Sequence, residues 1–564
     1  MTLVQWFIFF LIIQGVHFLG TWKLYERAGR KRWEAAIPVY NAIVLMKIID
    51  RPTWWTILLF VPVVNLIMFP VIWVETLRAF GKKSEIDTTL GIVTLGFYIY
   101  YINYTQEVTY IPNKNAVKTE NTVSALLFAL VVATLVHTYF IQPFTIPSSS
   151  LEKSLLIGDF LFVSKFHYGA RTPMTTVAAP MVHDSIPLLK TKSYSTFPQL
   201  PSFRFPGIQK IQRNDIVVFN WPMDTVYQFF DRSGRRAEKP IDKKSNYVKR
   251  CVGIPGDSLS IKDGIVFING KESILPERAK PQFMHMVYAK NGVNMELIKK
   301  TGSTEFSRKY IVKPTSQDQL NAIQPYVTSF TQNKDNSLTV VTYAQGLPPT
   351  VTSSIGLYAQ ELYDTKADVN LTLKGAQELR NSKAYDSIIR VILPKDAKNT
   401  DCFPHTKDWS IDNYGPIYIP EAGKTVALNK ETLPFYEYAI TEYEHNDLKV
   451  SGDEIRINGQ IANSYTFKQD YYWMMGDNRH RSEDARYWGY VPADHIVGKP
   501  IFIWMSLDQD VPWSKAIDKI RWERLFTTVS GEGEPVSYFK YFLIALLGYL
   551  GYSFYKKRQA KKKA

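Results

Sequence analysis

The chain has 564 residues, which is too long for one compact core and indicates two or more folded units. Its net charge of +15 comes from 67 Lys and Arg against 52 Asp and Glu, and six of the cations lie in residues 556–563. Because this cluster follows an apolar segment, it favours an anionic membrane surface as its partner and argues against a nucleic-acid partner.

The N-terminal region contains three apolar runs. The first, Leu3 to Leu19, lacks a basic leader and a small-residue cleavage site, so we expect a retained transmembrane anchor. Basic residues between positions 23 and 32 place the following loop in the cytoplasm. A second run covers about Trp54 to Val74, and the short third, Leu90 to Tyr101, is either a tilted span or an interfacial helix. Residues 1–120 are therefore predicted to form a membrane region with two to three spans.

Two further spans are predicted around the central region. Val123 to Ile141 is almost wholly apolar and approaches the ~20 residues needed to cross a bilayer, so residues 121–142 are a predicted transmembrane helix. Residues 536–555 are a predicted C-terminal transmembrane helix, followed by a basic cytoplasmic tail at 556–564. This topology predicts a multi-pass membrane protein in which residues 143 to about 535 are extracytoplasmic.

The central region is predicted to be mainly β. Asp215–Phe219 is typical of a buried strand, and residues 259–268 alternate around Asp263-Gly264, a strong hairpin signal. Asn269-Gly270 and Asn458-Gly459 are further turn signals.

These patterns predict a mainly β extracytoplasmic domain in two parts, 143–273 and 451–510. Residues 274–450 are polar and mixed, yet too rich in Tyr, Phe, Leu and Val to be disordered. We expect them to form a large inserted subdomain whose function the sequence does not show.

The cysteines and histidines carry no metal-binding pattern. Cys251 and Cys402 are too few for a disulfide framework, and the nine histidines contain no HExxH-type spacing. The two cysteines could pair in an oxidising compartment or be separate small core residues, and the sequence leaves both open. We expect no metal and no cofactor.

Candidate chemistry lies in four segments. They are residues 143–151 (PFTIPSSSL), 213–219 (RNDIVVF), 247–257 (YVKRCVGIPGD) and 475–492, which contains MGDNR, Ser482, Asp484, Arg486 and WGYVP. A serine hydroxyl needs a base, and no histidine near these segments is an obvious candidate. A lysine serves if burial keeps it neutral, and the alternation around Lys249 could point its amine inward. A solvated strand lysine is the usual alternative.

Together the four segments resemble the motifs of the type I signal peptidases, the bacterial leader peptidases. The resemblance covers the membrane span ahead of the serines and all four motifs in family order. It does not cover the chain before about residue 121 or the interior of the inserted region.

The resemblance implies a Ser–Lys dyad with an acyl-enzyme intermediate, in which Ser150 is the nucleophile and Lys249 the general base. The Ser148 hydroxyl and the Ser150 backbone N–H would form the oxyanion hole, and Ser482 would orient the lysine. Structural ion pairs would support the site, and their members are Arg250 with Asp477 and Asp484 with Arg486.

Family substrates are signal-peptide-bearing preproteins cut after small residues. Shallow apolar pockets would select them, and the matching positions are Phe144, Ile146, Pro147, Leu151, Leu155, Leu161, Val218, Tyr247 and Val248. Each of these residues could equally be plain core. The resemblance also implies that the mainly β domain is the catalytic domain of a multi-pass protein of the cytoplasmic (inner) membrane, on its extracytoplasmic, periplasmic face. It further implies contact with the lipid bilayer and proximity to the secretion translocon.

The chain departs from the family pattern at three places. Leu151-Glu152-Lys153-Ser154 stands where Met-x-Pro-Thr is usual, and Arg213-Asn214-Asp215 stands for Arg-Gly-Asp. His480 follows Arg479 where an acidic residue is common. These changes bear on pocket shape and fine specificity and remove no reacting group.

Two other functions remain open at this point. One is a self-cleaving Ser–Lys peptidase of the repressor type, against which the membrane spans argue. The other is a catalytically silent membrane-anchored domain that binds exported chains, against which the occupied catalytic positions argue. Cleavage of a separate preprotein molecule would distinguish them.

Overall fold

A computed structural model describes residues 2–112, 122–186, 189, 191–225, 236–303, 305–395, 401–511 and 513–563. They form two compact units, each assembled from separated stretches of the chain. The first comprises Met1–Gln142, Lys165–Ile208 and Asp224–Ser245, and the second comprises Pro143–Ser164, Gln209–Met223 and Asn246–Ala564. The domain boundaries predicted from the sequence stay predictions.

The first unit is built on seven helices in the described residues. They are α1 (Leu3–Arg27), α2 (Tyr40–Ile48), α3 (Trp55–Leu58), α4 (Val64–Ala79), α5 (Glu85–Val93), α6 (Tyr98–Thr105) and α7 (Thr122–Leu135). Thr2 caps α1 because its hydroxyl accepts from the Gln5 N–H and the Gln5 side chain accepts from the Thr2 N–H. In the described part of the chain, α1 is the one helix both long and apolar enough to cross a bilayer.

The second and third apolar runs are each divided between two helices. A turn with Val63 in the left-handed region (φ 68°) separates α3 from α4, so the run from Trp54 is not one continuous helix. Leu95 (φ 51°) and Gly96 (φ 85°) likewise separate α5 from α6. Hydropathy averages over such turns, because a left-handed residue interrupts a helix without lowering its apolar content.

The predicted fourth span is helical for most of its length. After α7, residues Val136–Phe140 form a single wide π-type turn, and an extended strand begins at Ile141. The chain therefore changes from helix to sheet within a few residues of the three serines.

Among the residues that the structure describes, the β-rich part of the chain begins with seven strands. They are β1 (Ile141–Thr145), β2 (Asp159–Ser164), β3 (Ile216–Asn220), β4 (Asn246–Gly253), β5 (Ser258–Lys262), β6 (Ile265–Ile268) and β7 (Lys271–Glu272). The predicted hairpin is confirmed, since β5 pairs with β6 in the register Leu259↔Ile268. Its turn places Asp263 (φ 48°) and Gly264 (φ 79°) in the left-handed region that a two-residue hairpin needs.

The middle of the chain forms two small antiparallel sheets. Its elements are β8 (Gln282–Tyr288), α8 (Met295–Lys300), β9 (Arg308–Lys313), α9 (Gln317–Ile323), β10 (Val327–Gln332), β11 (Leu338–Thr342), α10 (Pro349–Ser354), β12 (Tyr358–Leu362), β13 (Lys366–Thr372), α11 (Leu373–Asn381) and β14 (Ser387–Arg390). One sheet has the order β13-β8-β14 and the other β10-β11-β9-β12. Each contributes to a separate apolar cluster, one around Leu371 and one around Val312.

In its described residues, the last part of the chain contains ten strands and four α-helices. They are β15 (Tyr414–Tyr418), β16 (Thr425–Ala427), α12 (Leu433–Tyr438), β17 (Leu448–Ser451), β18 (Glu454–Ile457), β19 (Gln460–Ile461), β20 (Ser464–Thr466), β21 (Tyr471–Met475), α13 (Ala485–Trp488), β22 (Val491–Pro492), β23 (Ile496–Ser506), α14 (Ala516–Lys519), β24 (Thr527–Thr528) and α15 (Phe539–Lys563). Helix α15 begins at Phe539 and includes residues 539–555 of the predicted C-terminal span, whose crossing of the membrane stays a prediction. Strand β15 lies within residues 274–450 but pairs with β5, opposite Ile261 and Leu259.

An eight-stranded sheet organises the second unit. Its order is β1-β2-β23-β3-β4-β21-β22, and β24 also pairs with β23. An apolar cluster that includes Leu151, Leu161 and Val218 packs on it. Strands distant in sequence thus meet in one sheet, which brings the third and fourth motifs side by side as β4 and β21.

Both cysteines are buried, and no disulfide joins them in this structure. The Cys251 thiol lies in β4, 3.3 Å from the Gly253 carbonyl oxygen. Of the two alternatives that the sequence leaves open, the structure shows two separate buried thiols.

Candidate active site

The three serines lie on a tight turn that follows β1. Residues Ser149–Leu151 form a short 3₁₀ turn in which Ser150 is buried, while Ser148 before it is exposed. The Leu151 carbonyl accepts from the Leu155 N–H at 2.8 Å, which closes the turn. Paired main-chain bonds between Ile146 and residues 158–159 hold its entrance. Ser150 is thereby fixed in a rigid, largely buried position.

Lys249 lies in the middle of β4, opposite Val217 of β3. Its residue is 4% exposed, and the serine turn packs against the same strand. Burial lowers the pKa of Lys249 to about 8, although the carboxylates of Asp484 and Glu483 act in the opposite direction. The sequence-predicted lysine is thus a buried, readily neutralised amine beside the serine turn.

Gly476 connects Ser150 with Ser482. A Cβ atom built on Gly476 would overlap the Ser482 side chain and lie 2.5 Å from the Ser150 carbonyl oxygen. The Ser482 hydroxyl is buried and makes no hydrogen bond within the described residues. A buried hydroxyl without a partner is energetically costly, which is typical of a group reserved for function.

The two predicted ion pairs both form. Arg250 donates two hydrogen bonds to Asp477, at 2.7 and 2.6 Å, and Asp477 also accepts from the Ser154 hydroxyl. Burial alone would raise the pKa of Asp477, but the Arg250 guanidinium outweighs it and holds the pKa below its usual value. These bonds tie β4 to the residues that follow β21.

Asp484 pairs with Arg486 through hydrogen bonds of 2.8 and 2.9 Å. Burial opposes the charge of Asp484, and the pairing with Arg486 nevertheless lowers its pKa. The Asp484 carboxylate also accepts the Gly476 N–H at 3.0 Å. The Asp484–Arg486 pair therefore holds the backbone of Gly476, against which the Ser482 side chain lies.

Seven of the nine predicted pocket residues belong to one apolar cluster. The five buried members are Ile146, Leu151, Leu155, Leu161 and Val218. The two partly buried residues at its margin are Phe144 and Val248. Tyr247 instead stacks on Trp221, with 5.1 Å between ring centroids, and Pro147 is exposed. Phe144 and Val248 are therefore the two predicted pocket residues of this cluster that keep part of their surface exposed.

The structure adds residues to the site that the sequence patterns did not assign. Asn478 donates its backbone N–H to the Ser150 carbonyl at 3.1 Å. The sequence places Asn478 within the MGDNR motif but predicts no role for it. Asn478 belongs to a loop, residues 476–482, that also makes hydrogen bonds with the backbone of Gln282. His480 in the same loop bonds to the carboxylate of Asp412. Gln282 and Asp412 lie in the middle of the chain, where no local sequence signal marks them. In the described part of the chain, no cluster of His, Cys, Asp and Glu could hold a metal ion.

The chain was compared with known protein families and proteins. Residues 119–321 and 419–505 match the family described as signal peptidase, peptidase S26. Signal peptidase I of Haemophilus influenzae is 24% identical over 417 residues, covering 72% of this chain and 74% of the relative. Signal peptidase I of Buchnera aphidicola subsp. Schizaphis graminum is 23% identical over 392 residues, covering 68% and 75%. Residues 33–113 match a separate family of unknown function, DUF5684.

The family match covers more than half of the chain and shows which class of protein this is. The chain belongs to the signal peptidase family, peptidase S26. It is a serine peptidase that removes signal peptides.

Proposed function

We propose that Ser150 attacks the scissile carbonyl and that the neutral amine of Lys249 accepts its proton. The resulting tetrahedral intermediate collapses and expels the amine of the mature protein, which takes the proton from the Lys249 ammonium. The lysine, neutral again, then accepts a proton from the water that hydrolyses the Ser150 acyl-enzyme. The observation that carries this proposal is the burial of Lys249 beside the turn of Ser150, which lowers the pKa of the lysine to about 8. A lysine with its ordinary pKa would be almost wholly charged at neutral pH and could not act as a base.

The neighbouring hydroxyls have separate roles in this proposal. The Ser148 hydroxyl and the Ser150 N–H donate to the developing oxyanion, which Ser148 can reach because it is exposed next to the buried nucleophile. The buried hydroxyl of Ser482, which has no partner within the described residues, would hydrogen-bond and orient the Lys249 amine during the reaction. The Arg250–Asp477 and Asp484–Arg486 pairs are structural supports.

Phe144 and Val248 are proposed to line the substrate pocket, with the buried members of their cluster behind them. A shallow apolar floor accepts a small side chain and excludes a large one, which supports cutting after small residues.

The membrane arrangement is also a proposal. α1 is one span, and α7 with the π-type turn behind it and α15 are further spans. The basic tail stays in the cytoplasm, so residues 143–535, between α7 and α15, lie at the extracytoplasmic face of the inner membrane. Preproteins emerging from the translocon would meet the active site there, beside the lipid surface.

Cleavage of a purified preprotein by the full chain in detergent tests the dyad. Wild type and Ser149→Ala, a matched change on the same turn, are expected to cut. Ser150→Ala and Lys249→Ala are expected to lose at least ~10³-fold in kcat. Near-wild-type cleavage by either variant would overturn the assignment. Cleavage of the enzyme's own chain alone would favour the self-cleaving alternative, and no cleavage by wild type would favour the silent binding domain.

Labelling of introduced cysteines in intact cells tests the topology, because Cys251 and Cys402 are both buried. Lys271→Cys and Gln559→Cys both replace exposed residues. A membrane-impermeant maleimide is expected to label the first in intact cells and the second only after permeabilisation. The reverse pattern would refute the proposed orientation.

A further inference from the structure

Gln282, the first residue of β8, is bonded to two separate parts of the active site. It is 1% exposed. Its N–H donates to the Asp477 carbonyl at 2.8 Å, and its carbonyl accepts from the Arg479 N–H at 3.0 Å. Its side-chain amide donates to the Glu152 carbonyl at 2.8 Å. Residues 274–450 are called the middle segment below. One residue of the middle segment therefore joins the loop of residues 476–482 to Glu152, two residues after Ser150.

A second connection reaches the same loop through His480. Its Nδ1 accepts from the Met284 N–H at 3.2 Å, so its Nε2 carries the proton and donates to Asp412 at 3.1 Å. Asp412 is 1% exposed and also accepts from the Leu393 N–H. The histidine is thus held between β8 and the chain ahead of β15.

The loop held in this way is bonded directly to the serine turn. The Asn478 N–H donates to the Ser150 carbonyl at 3.1 Å, and the Asn478 side chain donates to the Ser149 carbonyl at 3.2 Å. Ser482 lies four residues further along the same loop. A displacement of the loop therefore moves Ser482 and the serine turn together.

We propose that Gln282, His480 and Asp412 are positioning residues. Through them the middle segment holds Ser150, Lys249 and Ser482 in reacting geometry. The inference rests on the proposed dyad. None of the three residues is assigned a contact with substrate. Their effect is expressed in kcat because proton transfer demands closer alignment than binding does.

Gln282→Met tests this role, since it keeps the volume of the side chain and removes its amide donor. We expect kcat for a preprotein to fall about tenfold with KM within about twofold, as for an interaction made in the transition state. A loosened loop admits water to Lys249, so the acid limb of the pH profile is expected to move to higher pH. The charged groups facing the lysine, Asp484, Glu483, Arg486 and Asp477, are unchanged in this variant.

If Gln282→Met does not fold, Asp412→Asn is measured instead, with the same expected changes in kcat, KM and the acid limb of the pH profile. Glu361→Gln is the matched control, because Glu361 pairs with Arg308 in the sheet containing β9 and β12 and does not contact the loop. We expect it to lower the thermal midpoint without changing kcat or the pH profile. A Gln282→Met enzyme with wild-type kcat and an unmoved acid limb would overturn the positioning role. Undiminished cleavage by Ser150→Ala would instead show that the proposed dyad itself is wrong.

Discussion

Gly476 lies so close to Ser482 that a Cβ atom on the glycine would overlap the serine side chain. The same Cβ would lie 2.5 Å from the Ser150 carbonyl oxygen. No L side chain fits between these groups unless the turn or the loop moves. The glycine therefore sets the separation between the proposed nucleophile and the proposed lysine-orienting hydroxyl.

Gly476→Ala is expected to lower kcat/KM by about a hundredfold, since a misplacement of about 1 Å in reacting groups costs that much. The measurement is preprotein cleavage under single-turnover conditions. Gly548→Ala is the control, because nothing lies within 4 Å of its added methyl group. Equal activity of the two variants would mean that the spacing at Gly476 does not matter for the reaction.

Ser482→Ala is expected to separate activity from stability. The hydroxyl makes no hydrogen bond within the described residues, so its removal should leave the thermal unfolding midpoint unchanged or slightly raised. If it orients Lys249, kcat should fall about ten- to a hundredfold. A variant that keeps wild-type kcat would exclude the orienting role.

The Arg250–Asp477 pair makes a prediction about stability. Both side chains are almost fully buried, so Asp477→Asn should lower the free energy of unfolding by about 3–5 kcal/mol, because it leaves a buried guanidinium unpaired. Denaturant unfolding measures this loss. Asp453→Asn, at the exposed pair with Lys430, should leave the free energy of unfolding unchanged. A small effect at Asp477 would show that the pair is dispensable.

The same pair predicts the direction of acid sensitivity. Burial opposes the Asp477 charge, but Arg250 outweighs it and lowers the folded-state pKa of the aspartate. Its stabilisation is therefore complete above the unfolded pKa of about 3.9 and is lost as the pH falls through the lower folded value. Unfolding measured from pH 6 to pH 2 should show this loss in wild type and lack it in Asp477→Asn. Identical pH dependence would contradict it.

Local turn chemistry made the hairpins predictable from sequence. Asp263-Gly264 and Asn269-Gly270 both adopt the left-handed conformations that such pairs favour, and strands β5, β6 and β7 follow from them. Hydropathy predicted the apolar runs but not their interruptions, since Val63 and Leu95 turn the chain while remaining apolar.

The site was predictable where its motifs are local and not where it depends on distant contacts. Ser150 and Lys249 stand in short recognisable motifs, and the structure brings their segments together through β4. Gln282 contacts the site through two main-chain groups and one amide, and its partner Asp477 is nearly two hundred residues away. No periodicity or spacing encodes such a contact. His480 was visible only as a departure from the family pattern, because its partner Asp412 lies in the middle segment.

The pH dependence of kcat/KM tests the neutral lysine most directly. Because Lys249 acts as a base only when deprotonated, the rate should rise with pH and reach half its maximum near pH 8, the value to which burial lowers its pKa. A plateau should follow above about pH 9. A half-maximum near the ordinary histidine value of about 6.5, or one near the ordinary lysine value of about 10.4, would contradict a buried Lys249 as the base.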